Sequence, residues 1–85
     1  MGMIKTYRER ADDFLKNKIP AHIITGADDW FNGYITFVGD DGFVILDRKD
    51  GLKQIRFSNI NQFTEFIGDI STLPIPEVDN DEGED

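Results

Sequence analysis

Cysteine is absent from this chain, histidine and tryptophan occur once each, and Lys and Arg number nine against seventeen Asp and Glu. Without cysteine there is no disulfide and no thiolate metal site. His22 alone cannot anchor zinc. No apolar run approaches the roughly 20 residues that cross a bilayer, and no apolar signal core opens the chain, so a cytoplasmic protein is expected. The 85 residues lie near the low end of what one hydrophobic core can stabilise unaided. Disulfides, a structural metal or oligomerisation are the usual supports for so small a domain. With the first two excluded, association with copies of itself is expected.

Nothing assembles into a catalytic group. A nucleophilic triad would need His22 with Ser58 or Ser71, which no pattern brings together. Asp28-Asp29 and Asp40-Asp41 fall in turn-like segments, where acids are common for backbone reasons. A non-enzymatic protein without cofactor or metal is expected. The formal charge of −8 argues against phosphate binding, which depends on Lys and Arg. Its distribution softens that argument. Six of the seventeen acids lie at Glu77, Asp79, Asp81, Glu82, Glu84 and Asp85, leaving eleven acids against nine bases in residues 1–76.

What is present has a clear order. Ile4, Tyr7, Ala11, Phe14 and Leu15 fall on one helical stripe, predicting an amphipathic helix over about 4–16. Pro20 limits its extent. Strands follow at Ile19–Thr25, Trp30–Val38 (with Gly33 marking a bend), Phe43–Arg48, Leu52–Phe57, and a short one within Ile60–Phe66. The composition of residues 26–29 and 39–42, and the pair Asp50-Gly51, mark the turns between them. The apolar run Phe43–Leu46 suggests a third strand buried on both faces. After Gly68 the pattern ends, and residues 69–85 read as a disordered acidic tail beyond a domain at 1–68. The fold class is mainly β: an N-terminal helix, then a five-stranded, strongly bent antiparallel open barrel.

Ile19-Pro20 with Gly33 thirteen residues after the proline, Asp41-Gly42-Phe43-Val44-Ile45-Leu46, and Gln54-Ile55-Arg56-Phe57-Ser58-Asn59-Ile60 together resemble the Sm/LSm family, and within it the Hfq-type bacterial RNA chaperones. The resemblance spans about residues 4–66. It implies an RNA-binding homo-oligomeric ring of about five to seven subunits, closed head to tail by pairing of edge strands. Ile55, Phe57 and Phe63 lie in the segments that would pair. It also implies three RNA surfaces. In the inner pocket, Phe43 would stack on a base of single-stranded, U-rich RNA, with Arg56, Ser58 and Asn59 around it. There Ser58-Asn59 stand where the Hfq type carries a Lys-His pair, and Gly42 stands in place of a polar residue. On the opposite face, Trp30, Asn32 and Tyr34 alternate along one strand and so share a side. A basic rim would comprise Arg8, Arg10, Lys16 and Lys18. The alternative is a protein-assembly ring on the same scaffold without RNA.

Overall fold

The computed structural model describes residues 6–76. The expected helix start at Ile4, and the acids from Glu77 onward, lie outside the described residues. Helix α1 spans Tyr7–Lys16. It begins at Thr6 because a complete capping box forms there: Thr6 Oγ1 accepts from the Glu9 amide, and Glu9 Oε1 accepts from the Thr6 amide. It stops in a Schellman arrangement, with the Ile19 amide donating to Phe14 O and the Lys18 amide to Leu15 O. Lys18 supplies the left-handed residue, with φ of 55°. The apolar stripe reaches the core through Ala11, and Tyr7 and Phe14 pack on the Phe63 ring at 6.0 and 5.0 Å. Ala11 is wholly enclosed, so a longer side chain there would overpack the helix against the sheet.

Strands β1 (Pro20–Thr25), β2 (Trp30–Val38), β3 (Gly42–Asp47), β4 (Gly51–Arg56) and β5 (Ile60–Glu65) form one antiparallel sheet in the order β4-β3-β2-β1-β5. The open, mainly β architecture is the one expected from the sequence. Register irregularities between Ile35 and Phe37 on β2, and between Ile24 and Thr25 on β1, mark where the ladders are interrupted, and such irregularities bend a sheet. Gly33 lets β2 approach β3: a Cβ there would lie 1.9 Å from Leu46 O. Gly42 is equally constrained, its hypothetical Cβ falling 2.0 Å from Ile55 O. The sheet's inner face contributes Ala21, Ile23, Ile35, Phe43, Ile45, Ile55, Ile60 and Phe63 to a core closed by Ala11. Each large apolar side chain so buried contributes about 1.5–3 kcal/mol.

Three expectations are corrected. Strand β3 is not buried on both faces: Phe43, Ile45 and Asp47 are buried, while Val44 and Leu46 are only half-covered, because no second layer lies over the outer face as completely as α1 and the far strands cover the inner one. Phe57 does not extend β4; it opens a 3-10 turn, Phe57–Asn59, whose backbone joins two other turns. Residues 69–76 do not lack structure. A 3-10 turn at Ile70–Thr72 is capped by Asp69, which accepts from the Ser71 amide and hydroxyl, and Leu73 is only 5% exposed. The Ser71 hydrogen bonds hold the Asp69 carboxyl below its ordinary range.

Asp47 is the most deeply buried charged side chain among the described residues, at 1% exposure. One carboxylate oxygen accepts from the Asn32 amide, the other from the amides of Lys49 and Asp50. It thus ties β2 to the β3–β4 turn, and the amides satisfy the charge with no cation paired to it among the described residues. Gly51 completes this turn at φ 78°.

Candidate nucleic-acid interface

The residues expected to form the inner pocket are not brought together as a base site. Phe43 is 1% exposed, its ring packed 5.9 Å from Phe57 and 5.7 Å from Phe63. Odd-numbered positions of β3 face the core, so its ring is spent on packing and has no open face for a base. Arg56, Ser58 and Asn59 are exposed but sit among acids. The Phe57 amide donates to Asp41 O, and Asn59 O accepts from the Gly26 amide, which fastens the 3-10 turn between the Asp40-Asp41 turn and the Asp28-Asp29 turn. Phosphate approaching Arg56 would meet that negative rim.

The basic rim is largely engaged in internal contacts. Arg8 pairs with Asp40 at 3.2 Å and Lys16 with Asp12 at 2.9 Å. The hydrogen bond to Asp12 and its charge raise the Lys16 ammonium above its ordinary value. Arg10 donates to Phe63 O and lies 4.7 Å over the Phe63 ring, where it locks the helix to β5. The expected pairing residues divide as well. Ile55 and Phe63 lie on the outermost strands, β4 and β5, but their side chains point into their own core. What the two edges offer to another chain is therefore backbone, flanked on β4 by Leu52 at 65% exposure.

The opposite face is where exposed aromatic and polar groups meet. Trp30 is 58% exposed, an unusual position for the chain's lone tryptophan. The register of the first hairpin sets Ile24 opposite Trp30 and His22 opposite Asn32. The imidazole of His22 stands edge-on to the indole at 5.8 Å, and its Nδ1 is hydrogen-bonded to Asn32 Oδ1. Arg48, whose amide donates to Asn32 O, carries its guanidinium 5.7 Å over the Phe66 ring and reaches Thr72 Oγ1 at 3.4 Å. With Thr64, Glu65 and Ile67 these groups line a recess of about 290 Å³. Tyr34, expected on the same surface, instead helps line a separate apolar groove of about 750 Å³ with Leu15, Leu46 and Leu52, where Ile75 and Pro76 form one wall.

Sequence reasoning missed His22, Arg48 and Phe66 as members of this site. For His22 only a partial signal existed: a four-residue turn at 26–29 would set it opposite Gly33, and the observed register, one residue shifted, sets it opposite Asn32. Arg48 and Phe66 had none, since they meet only through the end of β5 and the β3–β4 turn.

The fold and surface define a small β-sheet protein with two unpaired edge strands and one aromatic-cationic recess. Compared with protein-family models and with curated proteins, the sequence matches none. Among the described residues, no helix is long and apolar enough to cross a membrane, and no group of three His, Cys, Asp or Glu could hold a metal ion.

Proposed function

We propose that the chain is a non-enzymatic, ring-forming RNA-binding protein of Sm-like, Hfq type, acting in the cytoplasm, and that single-stranded RNA is engaged at the recess of Trp30, His22 and Arg48. The observation that carries this reading is the exposed indole of Trp30, with the His22 imidazole edge-on to it and Arg48 lining the same recess. Base-on-aromatic stacking contributes about 1–3 kcal/mol per base and needs no dense positive field, which suits a body of mildly acidic charge. Arg48 offers one phosphate contact at the mouth. The ring is supported by the sheet's two open edges, which carry unpaired backbone groups that a head-to-tail closure would satisfy. Titration of fluorescent oligo-A and oligo-U at low and moderate salt tests the reading. Trp30→Ala should weaken binding by about 1–3 kcal/mol, and Arg48→Gln should flatten the salt dependence by about one counterion. Absence of binding at low salt, where electrostatic attraction is strongest, would refute RNA binding.

A second reading, a protein-assembly ring without RNA, is favoured by the burial of Phe43 and by the acids around Asn59. It predicts a stable oligomer that ignores every oligonucleotide at any salt.

A further inference from the structure

His22 occupies the recess in a way that fixes which of its nitrogens can meet a ligand. An amide oxygen only accepts hydrogen bonds. With Asn32 Oδ1 facing Nδ1, the pair forms a hydrogen bond when Nδ1 carries the proton. In the neutral ring, Nε2 is then an acceptor with a bare lone pair, and it has no hydrogen-bonding partner among the described residues. The imidazole lines the recess beside the exposed indole, so a base stacked on Trp30 lies in the same recess as this ring. Asn32, only 6% exposed and tied to the Asp47–Arg48 segment through its backbone, holds the tautomer in place from below.

We propose, on the reading that RNA enters this recess, that His22 is its specificity-determining residue: its Nε2 accepts from the exocyclic amine of cytosine or adenine and disfavours the carbonyl that uracil presents at the same ring position. The preference follows from the direction of one hydrogen bond. An Nε2 lone pair facing a carbonyl places two acceptors together. The charged groups that share the recess with His22 are Arg48 from the β3–β4 turn and Glu65 from β5; Trp30 and Asn32 on β2 and Thr64 on β5 carry no charge.

Oligo-C and oligo-U isolate the exchange, since these pyrimidines offer an amine and a carbonyl at the same ring position. The full-length protein should bind oligo-C about five- to tenfold more tightly than oligo-U. His22→Gln, whose amide can both donate and accept, should bring that ratio close to one. Nitrogen-15 spectra of unliganded wild-type protein provide a second readout that needs no RNA: the Nδ1–H tautomer is expected, and an Nε2–H tautomer would overturn the proposal. So would equal binding of oligo-C and oligo-U by the wild-type protein while Trp30→Ala still weakens binding, an outcome that spares the RNA reading. If neither oligonucleotide binds, or if binding ignores Trp30, the recess is not an RNA site and both readings fall together.

Discussion

Asp47 shows how a single side chain can organise a region that packing alone would leave loose. Its carboxylate accepts three backbone amides, those of Asn32, Lys49 and Asp50, and an unsatisfied buried donor costs about 1–3 kcal/mol. The turn amides can turn to water when the carboxylate is removed, whereas the Asn32 amide cannot. Asp47→Ala should therefore cost about 2–3 kcal/mol in urea denaturation; a loss below half of that would mean water replaces the carboxylate without penalty. Lys18 lies at the other extreme. It adopts φ 55° to end α1, a conformation that burdens any residue with a Cβ, so Lys18→Gly should stabilise the protein by about 0.5–1 kcal/mol. A lowered melting temperature in that variant would show that the lysine side chain contributes more than its backbone conformation costs.

Among the elements, the segment after β5 is the least legible in sequence and among the easiest to test. Pro74, Pro76 and the acids beyond them suggest an unstructured tail, yet Asp69 caps a 3-10 turn and Leu73 is buried. The reason is that a short segment can be held by one apolar anchor and a local cap without showing any periodicity. Leu73→Ala should cost about 2–3 kcal/mol, the lower part of the range for a buried leucine. An unchanged denaturation midpoint would return this segment to the status of a loose tail. The five strands, by contrast, were readable to within a residue or two, because β-branched and aromatic runs between glycine- and aspartate-rich turns are local signals. The helix start was not readable from periodicity: Ile4 fits the stripe, but the Thr6–Glu9 capping box opens the helix at Tyr7.

For the whole molecule, the question is what becomes of the edges β4 and β5. A bent five-stranded sheet on a chain of 9.7 kDa leaves unpaired N–H and C=O groups on both outer strands. Ile55, inside its own subunit's core, is a poor place to disrupt assembly, because any change there also damages the monomer. Leu52, largely exposed on β4, is a better one. Charges on an edge strand block pairing with another chain, so Leu52→Lys should shift light-scattering mass from an oligomer to the single chain while leaving the circular dichroism of the fold intact. Wild-type protein that scatters as a single chain at micromolar concentration would defeat the ring.

The helix, the succession of strands and the turns between them follow from the sequence by itself, because each depends on contacts or backbone preferences within a few residues. The exclusion of disulfides and thiolate metal sites follows from composition alone. Which face of each strand turns inward was decided only in three dimensions. The run Phe43-Val44-Ile45-Leu46 is apolar at every position, so its parity is invisible until α1 and β5 cover one side, and that covering converts Phe43 from an expected base platform into core. The recess of Trp30, His22 and Arg48 likewise exists only once β2, β1, β5 and the β3–β4 turn are set side by side, residues up to 45 positions apart along the chain. Sequence pattern carries local structure because local structure is short-range; sites assembled across strands depend on register and curvature, which the complete sheet alone determines.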